Sequence, residues 1–354
     1  MELPVLFAAF AALTIAVYVV TDGFDLGVGI LFVLAPDDAD RDVMMESIEP
    51  VWDGNETWLV MGGTFLFAAF PSAYYILLPA FYVPVLTMLF GLIGRGVAVG
   101  FRGHALRFRR LWDWVFAGGS LLAVLSQGFI LGGFVSGVPV SDGMFAGHSL
   151  DAFTTFGLLC GIGLVSGYAL LGAGWLIWKS SGTTQVFARQ AGRAALIVVV
   201  VMMSVVSAWT ALADPAVARR WFTWPNIAWL APVPAVTALT IIASWRSLSG
   251  SNEVRTFQLA IVMFLLGFGG LIVSLWPYIV PRAFTVWDGV ADRSTLAFVG
   301  PGILLVMPIV LAYQAHAYWV FRGKVRIADT SATTQSAKPY QASASTRLTG
   351  STLG

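Results

Sequence analysis

Long apolar runs dominate this chain and limit what it can fold into. A helix that crosses the hydrocarbon core of a bilayer needs about 20 mostly apolar residues. The sequence therefore predicts an all-α polytopic membrane protein with nine transmembrane helices. The predicted spans are residues 5–34, 56–72, 74–99, 114–138, 153–178, 194–213, 226–245, 257–280 and 296–321.

Composition excludes several other classes of protein. Hydrophobic residues make up 58% of the 354 residues and charged residues 11%, whereas a soluble domain carries about 25% charged residues. These values exclude a soluble enzyme, a disordered protein and a secreted disulfide scaffold. The net charge of +1 indicates no nucleic-acid partner. The single cysteine, Cys160, cannot form an internal disulfide.

Basic residues predict the orientation, because cytoplasmic loops are enriched in Lys and Arg. With the N-terminus outside, the external side carries only Arg219, Arg220, Arg282 and Arg293. The internal side then carries Arg41, Arg102, Arg107, Arg109, Arg110, Lys179, Arg189, Arg193, Arg246, Arg255, Arg322, Lys324, Arg326, Lys338 and Arg347. An eight-helix alternative would merge or drop the short second span and reverse the N-terminal side. The asymmetry favours nine helices, with the N-terminus outside and the C-terminus inside.

The chain divides into two parts of different composition. Residues 1–327 are predicted to form one transmembrane domain. Residues 328–354 are rich in Ser and Thr and almost lack large apolar side chains. Such a segment cannot bury enough surface to offset the ordering of its backbone, so we expect a disordered cytoplasmic tail.

Two aspartates interrupt the first span, in the run TDGFDLGVG. Asp22 and Asp25 are three residues apart and therefore lie on neighbouring surfaces of one helix face. Carboxylates inside a span usually face protein or water rather than lipid. The pair is typical either of a proton or cation site or of a hydrogen-bonding element at a helix bend, and the residues alone do not choose between these interpretations.

A second polar group, WDGNETW at residues 52–58, precedes the second span. Asp53 and Glu56 could form a proton entrance, or they could cap the start of a helix. Capping needs only one such residue, so four polar residues between two tryptophans favour a functional role.

Other polar residues are given ordinary roles. Arg95 lies near the inner end of its span and is predicted to snorkel to the interface. His104 and His148 fall in predicted loops, and His316 lies close to the inner interface. A haem needs a buried axial ligand, so no haem and no metal are assigned to this chain.

Glycines at 23 and 27, at 157 and 161, and at 163 and 167 have the spacing that allows close helix approach. On these grounds a proton-coupled transporter and a redox-complex subunit both remain open.

Five motifs, in order along the chain, resemble subunit II of the cytochrome bd-type quinol oxidases, including the cyanide-insensitive branch. They are TDGFDLGVG at 21–29, SIEPVWDGNETWLV at 47–60, GFRGHALRFRRLWDW at 100–114, WDG at 287–289 and AYWVFRGKV at 317–325. No one motif is decisive, but the ordered set is highly specific and covers nearly all of the membrane region.

The resemblance implies a fold of two four-helix bundles plus one additional helix, in the bacterial cytoplasmic (inner) membrane. It implies a partner, subunit I, that carries the b- and d-type haems and oxidises quinol while reducing dioxygen to water. A small single-helix accessory subunit is a further partner to expect. Some relatives bind a structural quinone, although no motif here specifies one.

The resemblance also suggests roles for the acidic residues. Asp53 matches the aspartate that the family associates with a proton path from the cytoplasm. Asp25 matches the acidic residue of the first-helix motif and is placed in the same hydrophilic region. Asp22 also matches this motif, and its role could be structural. Relatives carry Glu or Gln where this chain has Glu56, which weighs against an essential titrating role there. The chain departs from the family at Gly100, where relatives usually have an acidic residue; a charge contact to Arg102 would then need another group.

Overall fold

The computed structural model describes residues 3–105 and 107–325, and the predicted tail at 328–354 lies outside them. The described residues form helices joined by short connections and two small hairpins. The helices are α1 (Leu3–Phe32), α2 (Asp38–Ile48), α3 (Trp52–Ala69), α4 (Pro71–Ala80), α5 (Tyr82–Arg102), α6 (Arg109–Ser136), α7 (Thr155–Lys179), α8 (Gly182–Ala213), α9 (Pro215–Phe222), α10 (Asn226–Leu230), α11 (Pro232–Ser247), α12 (Glu253–Leu275) and α13 (Arg293–Val320). The hairpins are β1 (Val140–Ser141) with β2 (Met144–Phe145), and β3 (Tyr278–Val280) with β4 (Phe284–Thr285), both antiparallel.

Eight described helical segments are long and apolar enough to cross a membrane. They are α1, α5, α6, α7, α8, α10 with α11, α12 and α13. The second predicted span corresponds to α3, which has 18 residues and is not among these eight. A helix of that length still rises about 27 Å. The structure thus confirms a helical polytopic protein.

The third predicted span, 74–99, was wrong at its start. The structure divides this stretch into α4 and α5, with a break at Phe81. Pro71 stands at the start of α4, where its missing amide costs nothing. Pro84 has no amide hydrogen to donate to the carbonyl of Ala80, so a continuous helix would lose a hydrogen bond there. The apolar pattern alone did not reveal this break.

The two ends of the helix assembly differ in character. One end, here called the basic end, gathers α2, the α5–α6, α7–α8 and α11–α12 turns and residues 321–325. Asp40 accepts a hydrogen bond from the Thr184 hydroxyl at 2.5 Å, and Lys324 pairs with Glu253 at 2.8 Å. The opposite end, here called the hairpin end, holds α4 and both hairpins, and the amide of Ala291 donates to the carbonyl of Ala69 there.

Helix α7 lies at the centre of the assembly and contacts α1, α6, α8 and α12. Within its most apolar window 67% of the residues are buried, against 11% in α12 and α13. Small residues allow this packing. A Cβ at Gly27 would collide with the carbonyl of Tyr168, and one at Gly128 would collide with the backbone of Gly161. The predicted role of Gly27 and Gly161 in close helix approach is confirmed.

Candidate functional site

The centre of the site is an ion pair inside the helix assembly. Nη1 of Arg95, on α5, lies 2.6 Å from Oδ1 of Asp22, on α1. The Arg95 side chain is 1% exposed and that of Asp22 is 0% exposed. The prediction that Arg95 snorkels was therefore wrong. The Arg95 guanidinium is instead held by carboxylates inside the assembly, where desolvated opposite charges attract strongly.

Glu56 is the second partner of Arg95 and connects the pair to the surface. Its Oε2 accepts from Nη2 of Arg95 at 2.8 Å, and its side chain is 27% exposed. The ring of Trp52 lies 5.9 Å from the Arg95 guanidinium carbon. Helix α3 supplies both residues from one helical face, since they are four apart. The arginine thus lies between a fully buried carboxylate and a partly exposed one.

Asp25 joins the site through Asn55 rather than through an arginine. Nδ2 of Asn55 donates to Oδ2 of Asp25 at 2.7 Å, and both side chains are fully buried. Oδ1 of Asn55 accepts from Nε2 of Gln314 and from the hydroxyl of Tyr318, each at 2.7 Å. Nε1 of Trp58 donates to Oε1 of Gln314 at 2.6 Å. Asn55 therefore ties α1, α3 and α13 together.

A chain of polar side chains beside the ion pair connects α1, α6 and α7. Tyr18 precedes Asp22 by one helical turn on α1. Its hydroxyl accepts from Nε2 of Gln127 at 2.8 Å, and the hydroxyl of Tyr168 donates to Oε1 of Gln127 at 2.9 Å. These side chains place a hydrogen-bonded group of α1, α6 and α7 one helical turn from Asp22.

Three buried polar atoms of the site have no hydrogen-bond partner among the described residues. They are Oδ2 of Asp22, Oδ1 of Asp25 and Nε of Arg95. Most buried polar atoms in folded proteins are hydrogen-bonded, so each exception needs an explanation. Each of the two carboxyl groups therefore has one oxygen that could carry a proton without losing a protein contact.

Asp53 does not belong to this buried cluster. It lies in the first turn of α3 with its side chain exposed. The capping interpretation is wrong in its hydrogen-bonding form, because Val51 is the N-cap residue and makes no side-chain cap hydrogen bond. The structure therefore brings Asp22, Asp25 and Glu56 together and leaves Asp53 on the surface nearby.

Arg102, seven residues after Arg95 on α5, occupies a separate charged cluster at the basic end. It contacts Oδ1 of Asp113 at 2.5 Å and Oδ1 of Asp42 at 2.7 Å. Arg109 also contacts Asp42. A side chain at Gly100 would meet nothing within 4 Å. Asp42 and Asp113 therefore supply the charge contacts to Arg102 that were expected from other groups, because this chain has Gly100 where relatives usually have an acidic residue.

The described residues hold no cluster of three or more His, Cys, Asp or Glu side chains that could bind a metal ion. All three histidines, His104, His148 and His316, are exposed. The His316 ring lies 5.9 Å from that of Trp319. An axial haem ligand is expected to be buried beside the porphyrin, so these histidines do not fit that role within the chain by itself.

These features define a helical polytopic membrane protein with a buried, mostly acidic charge cluster at the junction of α1, α3, α5 and α13. Comparison with known proteins gives the family. The chain belongs to the cytochrome bd terminal oxidase subunit II family, whose sequence model matches residues 3–321.

Individual relatives agree with this membership. The chain is 28% identical over 363 residues to cytochrome bd-I ubiquinol oxidase subunit 2 of Escherichia coli, covering 90% of this chain and 94% of that relative. It is 28% identical over 314 residues to cytochrome bd ubiquinol oxidase subunit 2 of Bacillus subtilis, covering 86% and 91%. A chain in the structure of the bd oxidase from Geobacillus thermodenitrificans superposes with a TM-score of 0.69 at 20% identity, covering 91% of this chain and 99% of that chain. That likeness supports the fold.

Proposed function

We propose that this chain is the non-haem subunit of a bd-type quinol:dioxygen oxidoreductase. Its relatives are named as subunits of ubiquinol oxidases, and the complex would oxidise quinol and reduce dioxygen to water in aerobic respiration. Haems b and d would reside in the partner, subunit I. This chain would stabilise that partner and carry cytoplasmic protons toward the oxygen-reduction site. A small accessory helix and a structural quinone are further components to test.

The proposed topology has nine transmembrane helices in two four-helix bundles plus one additional helix. Counting α3 as a span places α2 and the α5–α6, α7–α8 and α11–α12 turns on one side. That side is the basic end, which would face the cytoplasm of a bacterial cell because Lys and Arg concentrate there. The N-terminus would then be outside and the C-terminus inside.

One face of α3 is the proposed contact with subunit I. Side chains at intervals of three and four residues remain exposed along the whole helix: Asp53, Thr57, Val60, Thr64 and Phe67. The Thr57 and Thr64 hydroxyls donate to carbonyls of their own helix, so the Asp53 carboxylate is the group that a surface facing only lipid would disfavour. A partner packed on this face would place Asp53 at the boundary between the subunits, close to the basic end.

Charge balance carries the proposal of a proton path. The deep cluster contains one cation, Arg95, and the carboxyl groups of Asp22, Asp25 and Glu56. Burying a net negative charge is costly, and carboxyl groups in such a place take up protons instead. We therefore expect the cluster to hold at least one exchangeable proton. Glu56, which is partly exposed, and Asp53, on the adjacent surface, would connect it with the cytoplasmic side.

The first test concerns the complex itself. Purification from the native source through a tag on this chain should yield a second large membrane chain. The reduced-minus-oxidised visible spectrum of the product should contain b- and d-type haem bands. A single colourless chain in mild detergent would instead exclude the redox role and favour the transporter alternative.

The second test separates the two aspartates in the assembled complex. Asp25→Asn and Asp53→Asn should each slow oxygen consumption and proton uptake by about 10²–10⁴-fold, the contribution that general acid–base groups typically make. Asp38→Asn is the matched control, since Asp38 is an exposed aspartate whose ion-pair partner among the described residues is Arg41 alone, on its own helix. Unchanged rates in both variants, with normal haem content, would reject the proton path. Loss of haem content without a specific rate effect would indicate a purely structural role.

A further inference from the structure

A cleft of about 460 Å³ lies at the basic end, between the last turns of α11 and the start of α12. Arg246 and Arg255 line it, and no acidic residue of the described chain does so. The apolar side chains of Leu239 and Ile242 line the same cleft. The cleft is far in sequence from the deep cluster around Arg95 and takes no part in the proposed proton path.

The two arginines differ from their neighbours in having no protein partner. Across the described ranges, the side chains of Arg246 and Arg255 are exposed and make no hydrogen bond or ion pair. By contrast, Nη1 of Arg189 donates to the carbonyls of Leu248 and Gly250, at 3.1 and 3.0 Å. Two of the nearby cations are therefore free to bind something other than this chain.

The acidic residue nearest in sequence does not neutralise them. Glu253 accepts hydrogen bonds from Nε2 of Gln185 and from Nζ of Lys324, each at 2.8 Å. Arg193 adds a further positive charge beside this turn, where it contacts the hydroxyl of Ser249 at 3.0 Å. The turn between α11 and α12 consequently carries an excess of positive charge.

The apolar part of the cleft continues along the membrane-facing surface of α11. Leu239 is 65% exposed and Ile242 is 50% exposed, and they precede Arg246 by seven and four residues, which places all three on one helix face. A cationic end followed by an apolar wall matches a molecule with an anionic head and a hydrocarbon chain. Basic pockets between membrane helices are known to bind anionic lipid head groups.

We infer that this cleft binds an anionic phospholipid of the leaflet at the basic end. Arg246 and Arg255 contact the phosphate, and the first part of an acyl chain lies along Leu239 and Ile242. The lipid holds the ends of α11 and α12 together from the membrane side. This inference depends on the cleft alone and does not require the proposed oxidase activity.

Lipid retention by the purified assembled complex tests the inference. The complex is washed in detergent with phosphatidylglycerol or phosphatidylcholine, and bound lipid is counted by native mass spectrometry. The double variant Arg246→Gln/Arg255→Gln should retain phosphatidylglycerol about 30-fold less well, because each arginine near an anionic lipid surface contributes on the order of 1 kcal/mol and about 1.4 kcal/mol corresponds to a factor of ten. Phosphatidylcholine retention should be low and unchanged.

The matched control is Arg107→Gln/Arg110→Gln. These arginines are also exposed and unpaired within the described residues and lie at the same end, but neither of them lines this cleft. Equal loss in both double variants would overturn the inference in favour of general surface charge. Displacement of phosphatidylglycerol by millimolar inorganic phosphate would overturn it in favour of a free-anion site. Arg246→Lys/Arg255→Lys should keep most of the retention, which separates lost binding from misfolding.

Discussion

Arg95 and Arg102 lie seven residues apart on α5 and have similar contacts. Both side chains are almost fully buried, and each contacts two carboxylates. Each also lies beside an aromatic ring, Trp52 for Arg95 at 5.9 Å and Phe32 for Arg102 at 5.0 Å. The two clusters nevertheless differ in charge balance and in access to water.

The cluster at the basic end is electrically balanced when all of its groups are ionised. Arg102 and Arg109 face Asp42 and Asp113, and the Asp42 side chain is 46% exposed. The deep cluster has one arginine for three carboxyl groups, and Asp22 is 0% exposed. The two clusters lie two turns apart on α5. The Arg102 cluster is neutral without added protons, whereas the Arg95 cluster needs protons to become neutral. The difference supports the proposed proton-binding role of the deep cluster, whereas the cluster at the basic end would be structural.

Removal of Arg95 should have the largest effect. Arg95→Met leaves Asp22 buried without its cation, and breaking a buried pair in this way costs about 3–5 kcal/mol. We expect the complex to melt at a much lower temperature or to fail to assemble, as measured by yield and by thermal unfolding followed through haem absorbance.

The double variant Arg95→Met/Asp22→Asn is the control for this effect. It removes the Asp22 charge together with its cation and should recover much of the lost stability, because the fully buried carboxylate of Asp22 no longer lies unpaired, whereas Glu56 is partly exposed. If the double variant is as unstable as the single one, shape rather than charge holds this region together.

A change at the other cluster should cost much less. Asp42→Asn removes a half-exposed carboxylate, and exposed ion pairs contribute about 0–1 kcal/mol. Arg102 keeps its contact with Asp113 in this variant. The melting temperature and the oxygen-consumption rate should stay close to those of the unmodified complex. A fall in melting temperature as large as that caused by Arg95→Met would mean that the two clusters contribute equally to stability.

Sequence reasoning found the carboxyl groups of the deep cluster but not their partners. Asp22, Asp25 and Glu56 stood out because charges are rare inside apolar runs. Arg95 was misassigned because its position near a span end is typical of snorkelling. Its partners are 73 and 39 residues away, and no local pattern reports such a contact. A charged residue of each sign within predicted spans was the signal that could have indicated the pair.

The fold shows the same division between local and distant information. Apolar runs located the long helices, since twenty apolar residues in succession have few alternatives. They gave no indication of α2, α9 or the two hairpins, which are short, or of the break at Phe81. Asn55 was visible in the polar run before the second span. Its contact with Gln314, 259 residues away, appears only when α3 and α13 pack together.

The smallest predicted effect concerns an ion pair at the hairpin end, outside the spans. Burial raises the pKa of Asp214, but hydrogen bonds from Arg282 and from the amide of Ala216 outweigh it and hold that pKa below the ordinary value of 3.8. The pair therefore stabilises the folded state above the ordinary pKa, and the contribution is lost as the pH falls through the lowered one.

Thermal melting of the complex, with and without Asp214→Asn, can measure this contribution. The difference in melting temperature should be constant above about pH 5 and shrink only in more acidic solution. It should also be small, because the Arg282 side chain is 53% exposed and water screens such a pair. If Asp214→Asn changed the melting temperature as much as Arg95→Met does, the burial of an ion pair would not explain why the Arg95 and Arg102 clusters differ in their contribution to stability.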